Sequence, residues 1–311
     1  MNRFVAVLFS AVMPLTGAAE EFLLPAEGYS VVGEVRSVFA QEEDTLLDVA
    51  RREGLGFEDI VRANPDVNPW VPGEGTEVVL PTRYVLPAVP WEGVVINLPE
   101  LRLYYFPKPT GDSAPTVETY PISIGRMDWG TPLGRTRVIS KVVDPSWYPP
   151  KSIREEHAAD NRPLPPVVPA GPDNPLGRHA MRLAIPGYLI HGTNKPAGVG
   201  MRVTHGCIRM FPEDIERLFG LIPLETPVRI INQPYKMGWS SEGVLVMEAH
   251  LPLEEDRDNH RFGPTELTRL FVGATQERLV AVDWALAEEI RAAARGIPDT
   301  ISVGELTALS Q

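Results

Sequence analysis

The chain has one cysteine, Cys207, among its 311 residues. That excludes an internal disulfide framework and any metal motif built on paired cysteines. Positive charge is scarce as well. The 29 Lys and Arg stand against 41 Asp and Glu, a formal net charge of −12. Such a surface repels phosphate backbones, and no basic block or aromatic–basic stripe offsets it, so nucleic acid is not an expected partner. The charge itself is read as a solubility device. Past the N-terminus no apolar run is long enough to span a bilayer. No phosphate-cradling glycine loop and no closely spaced histidine pair marks a cofactor or a metal.

What is present begins with an export signal. Arg3 supplies a short positive segment, and residues 4–15 form an apolar core broken only by Ser10 and Pro14. Gly17, Ala18 and Ala19 are small residues ahead of Glu20 and Glu21, the pattern of a cleavage site. We therefore expect residues 1–19 to be a signal peptide cleaved near Ala19, with no lipid anchor because no cysteine follows. The mature protein is expected outside the cytoplasm, with no membrane span. In an oxidising compartment proteins usually pair their cysteines. A lone one is either an inert buried residue or a working thiol, and its neighbourhood decides.

The length fits about two domains. Asp44-Thr45 can cap a helix whose apolar face is Leu46, Leu47, Val49 and Ala50. Gly54 and Gly56 break it, and residues 57–63 predict a second helix, with a closing strand at 76–80. Residues 81–91 read as a proline-containing linker. Short apolar strands follow at 94–98, 101–106, 119–124 and 136–143. Residues 145–175 are crowded with prolines, which argues against helix and central strand alike. So long an irregular segment within a domain is more often functional than idle, and we read it as a lid or groove wall. Strand pattern returns at 183–190, a short helix is expected at 212–219 and a closing strand at 228–232. The tail predicts a strand at 244–249 and helices near 264–272 and 276–295, the second with Leu279, Val282, Leu286 and Ile290 on one face. No chemistry is legible in this tail.

The chemistry concentrates in two places. His191 ends the apolar run of Tyr188, Leu189 and Ile190. Cys207 follows after a loop carrying Gly192, Gly198 and Gly200. A thiol must lose its proton to attack, and an imidazole can take that proton and return it to a leaving amine. The imidazole needs an orienting acceptor, for which the Gly192 carbonyl is placed. The N–H groups near Gly206 and Cys207 are candidates for an oxyanion hole, and Gly206 leaves room for a substrate carbonyl. His205, two residues before the thiol, suits a supporting role better than that of base. A zinc site from His191, His205 and Cys207 is the competing reading. His157, His179, His250 and His260 have no suggestive neighbours.

These residues carry a family resemblance. His191-Gly192-Thr193-Asn194, followed by Thr204-His205-Gly206-Cys207-Ile208-Arg209, resembles the catalytic signature of the L,D-transpeptidases, the YkuD-type domain. The likeness spans about residues 91–232 and includes Thr131-Pro132. Residues 38–82, with Glu43-Asp44-Thr45-Leu46, Ala63-Asn64-Pro65 and Pro72-Gly73, resemble a LysM glycan-binding module. The whole is similar to the Gram-negative subgroup that attaches the Braun lipoprotein to peptidoglycan. The resemblance implies a mainly β protein. It would have a β-sandwich-like catalytic domain at 91–232, a small α/β module before it and a partly helical extension at 233–311. It implies acyl transfer on peptidoglycan without cofactor or metal. Cys207 would attack the diaminopimelate carbonyl of a tetrapeptide stem and release D-Ala. The acyl group would then pass to a lipoprotein lysine or another stem's diaminopimelate. His191 would be the base, Gly192 its orienting acceptor, and Tyr188, Thr204, His205, Gly206 and Arg209 would shape the site, with Arg209 suited to a substrate carboxylate. Two alternatives stay open. Water could resolve the thioester on the same scaffold, or the chain could be a wall-binding protein with an idle thiol.

Overall fold

The computed structural model describes residues 20–111, 113–257, 263–276 and 278–305. The expected signal peptide, and His260, lie outside the described residues. Among the described residues no helix is long and apolar enough to cross a membrane.

The protein is mainly β. Its largest sheet has nine strands, in the order Glu20–Leu23, Thr116–Pro121, Arg102–Phe106, Gly93–Asn97, Pro227–Ile231, Gly134–Val143, His179–Leu183, Leu189–His191 and Ile208–Arg209. Most neighbours are antiparallel. Gly93–Asn97 with Pro227–Ile231, and Leu189–His191 with Ile208–Arg209, are parallel. Gly134–Val143 makes the sheet curl. Its first half pairs with Pro227–Ile231, its second with His179–Leu183, and the register shifts between Val138 and Ser140. A bulge there bends the strand and increases local twist. The curled sheet wraps a core that includes Val94, Ile96, Leu103, Tyr120, Ile122, Val138, Met181, Ile190, Ile208, Met210 and Leu218.

Residues 36–80 fold around their own small core. Arg36–Phe39 pairs antiparallel with Glu77–Leu80, and helices Leu46–Arg52 and Phe57–Ala63 lie between them in the chain. Thr45 caps the first helix through a reciprocal bond with Asp48. The buried Asn64 side chain donates to the carbonyls of Ile60 and Val79 and accepts from the Val79 N–H, at 2.7–2.8 Å. It thus fastens the end of the second helix to the closing strand, which explains why an Asn stands before Pro65.

Three expectations need correction. The proline-rich stretch contains a helix, Lys151–Ala159. Its prolines flank rather than interrupt it, and Pro150 stands at the N-cap, where a missing N–H costs nothing. Residues 81–91 are more than a linker, because Arg83–Val85 is a strand paired with Val31–Gly33. In the tail, 276–295 is not one helix. Val280–Val282 is a strand, Asp283 caps a helix at Trp284–Ala293, and Leu279 is exposed. The β-branched Val280 and Val282 pair with Ser302–Glu305 instead of continuing a helical stripe.

The tail also supplies the strands Tyr235–Trp239 and Leu245–Ala249. Its Lys236 ammonium is buried between Glu100 and Glu248, 2.9 Å from each, and Glu248 reaches His250 at 2.6 Å. His250 is therefore a buried, bonded side chain. His179 packs against the Phe219 ring at 4.8 Å.

Candidate active site

The parallel ladder of Leu189–His191 and Ile208–Arg209 sets out the site. Ile190 pairs with Ile208 and His191 with Arg209. Ile190 and Ile208 are both buried in the main core. Alternation therefore turns Leu189, His191, Cys207 and Arg209 to the opposite face, with Cys207 one pleat diagonal from His191. That face opens on a groove of about 1010 Å³, lined also by Tyr188, Thr204 and His205. The opposite wall comes from the proline-rich stretch, with Trp147, Tyr148, Pro150, Ile153, His157 and Leu164. It is a groove wall in fact.

His191 is buried, and its Nδ1 lies 2.6 Å from the Gly192 carbonyl. A carbonyl only accepts, so the proton sits on Nδ1 and Nε2 is left as the basic nitrogen. Burial is the main reason its pKa falls to about 4, and the nearby Arg209 guanidinium adds to it, while the Gly192 and Leu176 carbonyls pull the other way. The ring is a neutral imidazole at neutral pH.

Cys207 is half-buried, and its Sγ lies 3.7 Å from the Gly187 carbonyl. Burial pushes the thiol pKa up, against the Leu189 N–H and the Arg209 charge, which favour thiolate. Among the described residues no hydrogen bond joins Sγ to His191. The resting pair is thus thiol and imidazole rather than an ion pair. Arg209 has a buried Nε–H without a partner, and no carboxylate pairs with it among the described residues. Its pKa is lowered, mainly by burial.

The turn before the thiol is tightly bound. Thr204 Oγ1 donates to the Cys207 carbonyl at 2.6 Å and accepts from the Gly206 N–H at 3.2 Å. Thr131 Oγ1 donates to the Gly206 carbonyl at 2.9 Å. The Gly206 N–H is therefore engaged, which leaves that of Cys207 as the better oxyanion donor of the two. Gly206 has φ +98, and a Cβ there would lie 2.9 Å from the Tyr188 ring. The glycine is needed to seat the turn under Tyr188. Tyr188 in turn donates its hydroxyl to the Gly130 carbonyl at 3.3 Å.

His205 points away from the thiol's work. Its Nε2 lies 3.1 Å from Glu156 on the helix Lys151–Ala159, and its ring meets the edge of Trp129 at 5.0 Å. Arg126 pairs with the other oxygen of Glu156. His191, His205 and Cys207 do not converge as metal ligands. The one convergent group among the described residues is Glu100, Glu248 and His250, and the Lys236 ammonium already fills it. Glu156, Arg126 and Trp129 were not legible as site residues.

The model of the YkuD family, described as the L,D-transpeptidase catalytic domain, matches residues 92–230. The probable L,D-transpeptidase YcfS of Escherichia coli is 41% identical, over 82% of this chain and 80% of its own. The chain belongs to the L,D-transpeptidase family. Two further L,D-transpeptidases support the assignment over greater lengths. Probable L,D-transpeptidase YbiS of E. coli is 37% identical over 86% of this chain and 90% of its own. Probable L,D-transpeptidase ErfK/SrfK of Salmonella typhimurium is 36% identical over 92% of each. L,D-transpeptidase 3 from Mycobacterium tuberculosis is a distant likeness among solved structures, 18% identical with a TM-score of 0.33 over 50% of this chain and 67% of that one. The enzyme is an L,D-transpeptidase.

Proposed function

We propose that this L,D-transpeptidase acts on peptidoglycan stems in the periplasm, with Cys207 as nucleophile and His191 as its base. The observation that carries the reading is the 2.6 Å bond from His191 Nδ1 to the Gly192 carbonyl. It leaves a basic Nε2 on the ladder face that also bears the thiol. The step requires the Cys207 side chain to turn from the Gly187 carbonyl toward that nitrogen, and such bonds commonly tighten only when substrate arrives. Nε2 takes the thiol proton as Sγ adds to the diaminopimelate carbonyl. The tetrahedral oxyanion is met by the Cys207 N–H. Collapse breaks the amide bond, the imidazolium returns the proton to the D-Ala amine, and a thioester remains. An amine acceptor then repeats the sequence in reverse, with His191 again taking the proton.

Arg209 is suited to a stem carboxylate, since its guanidinium faces the groove with an unpartnered Nε–H. Thr204 and Gly206 fix the turn, Tyr188 lines the groove beside it, and Glu156 holds His205. Residues 1–19 are read as the removed signal peptide. This is supported by Arg3, the apolar run at 4–15 and the small residues Gly17, Ala18 and Ala19. Residues 38–82 are read as a glycan-binding LysM-like module, supported by their two-strand, two-helix fold.

The test is mass spectrometry of stem peptides after incubation with the purified enzyme. Cross-linked dimers identify a diaminopimelate acceptor, lipoprotein-linked stems a lysine acceptor and trimmed tripeptides water. Cys207→Ala is expected to give none of them while keeping its fold, and a carbapenem is expected to add its mass to Cys207 in the wild type. Retained turnover in Cys207→Ala would overturn the cysteine mechanism.

A further inference from the structure

The loop between His191 and Cys207 does not stand free. At its apex the carbonyls of Val199 and Gly200 accept the backbone N–H groups of Phe57 and Glu58, at 3.3 and 3.2 Å. Those are the first residues of the helix Phe57–Ala63 in the N-terminal module. The first N–H groups of a helix have no partner inside it, and here the active-site loop satisfies two of them. The approach is close because both backbones carry glycine at the crossing. A Cβ on Gly56 would lie 2.9 Å from the Gly200 Cα, a separation real Cβ atoms essentially never show. Gly200 itself has φ +84, which favours glycine independently.

The module pressing on the loop is itself anchored. Asp59, in the same helix, is paired at 2.9 Å with the buried Arg102 of the catalytic sheet. The helix therefore cannot simply retreat if the crossing is crowded; the loop must move instead. From the other flank Glu255 grips Arg202, three residues further along the chain from Val199, with both oxygens at 3.0 and 3.1 Å.

We propose that Gly56 is a positioning residue for catalysis, and that the N-terminal module sets the seat of the loop that carries Cys207 through the Gly56–Gly200 crossing. The proposal rests on Cys207 being the nucleophile. It makes the module part of the catalytic apparatus rather than a detachable wall anchor. Turnover of a small soluble stem peptide, which does not need the glycan, then depends on it.

The experiment uses the full mature chain and a soluble tetrapeptide. Gly56 has φ −78 and ψ 152, an extended conformation that alanine adopts freely, so Gly56→Ala wedges the crossing without backbone strain, although its Cβ also meets the Asp59 carboxylate at 3.1 Å. Phe57→Pro is the second variant. Proline is favoured in the first turn of a helix; it removes the N–H that bonds Val199 together with the ring that packs on Trp70 at 5.7 Å. Both variants are expected to lose about 10- to 100-fold in kcat, the scale of an ångström-sized misplacement. KM is expected to change little, and the rate of Cys207 alkylation by iodoacetamide to fall in parallel. Phe39→Ser, on an exposed part of the module, is expected to keep wild-type kcat. Wild-type kcat and alkylation in whichever of the two loop variants folds, or a rise in KM alone, would overturn the proposal. Turnover that survives Cys207→Ala would instead remove the reading on which it rests, so the two failures are told apart.

Discussion

His191 bonds through Nδ1 to the carbonyl of its own neighbour, Gly192, at 2.6 Å. A carboxylate in that place would favour the imidazolium strongly, whereas a neutral carbonyl orients the ring and does little to charge it. Burial then wins, and the pKa falls from 6.5 to about 4.

The pH dependence follows from the sign of that shift. Activity needs the neutral ring, so kcat/KM is expected to hold through the mildly acidic range and to fall as pH drops through about 4. Because the folded pKa lies below the unfolded one, the neutral ring's contribution to stability is present above about 6.5 and lost as pH falls toward 4. Cys207, raised by burial, is a thiol at rest. Its alkylation by iodoacetamide should therefore keep climbing with pH beyond neutrality. A plateau of alkylation already reached in mild acid would mean a preformed thiolate–imidazolium pair and would defeat this account.

Gly206→Ala separates the shape of the turn from its chemistry. The residue has φ +98 and its Cβ would press on Tyr188, so about 1–2 kcal/mol of backbone strain adds to a steric clash. We expect a modest fall in Tm, from thermal denaturation, beside a loss of turnover far larger than unfolding explains. Equal turnover would show that the turn tolerates another geometry.

The site was legible where chemistry sits in contiguous sequence. The run from Thr204 to Arg209 and the pair His191-Gly192 could be read directly, because each residue's type states its use. The helix Phe57–Ala63 could be read too, between the break at Gly54 and Gly56 and the turn at Asn64-Pro65. What could not be read depends on distant partners. Glu156 becomes part of the site only because the chain returns it to His205, and nothing near Glu156 in sequence announces that. The short strands of the tail were hidden for a related reason. Leu279 and Val282 suit a helix face by spacing, and the pairing of Val280 and Val282 that decides otherwise comes from residues 302–305.

Glu156 is the second support we expect to matter for turnover. It accepts from His205 on one side and from Arg126 on the other, joining the groove-wall helix to the turn before Cys207. Glu156→Gln keeps the shape and removes the charge. The expected result is a kcat lower by about 10-fold, together with faster amide exchange across residues 151–159. If exchange quickens with kcat untouched, the contact steadies the wall alone.

Lys236 tests whether the tail is integral to the catalytic unit. Its ammonium is buried between Glu100, from the turn that joins Gly93–Asn97 to Arg102–Phe106 in the catalytic sheet, and Glu248, from the tail. Burial is the largest single influence on Glu100 and works against its charge, but Lys236, His250 and Arg102 together outweigh it and bring that carboxyl down to about 2. Removing one member of such a group leaves the others charged and unpaired, at a cost of about 3–5 kcal/mol. Lys236→Met is therefore expected to lower the denaturation midpoint sharply. Adding Glu248→Gln removes one of the stranded charges and should recover part of the loss. If the double variant is no more stable than the single one, the two side chains act independently and the tail is held by its apolar contacts.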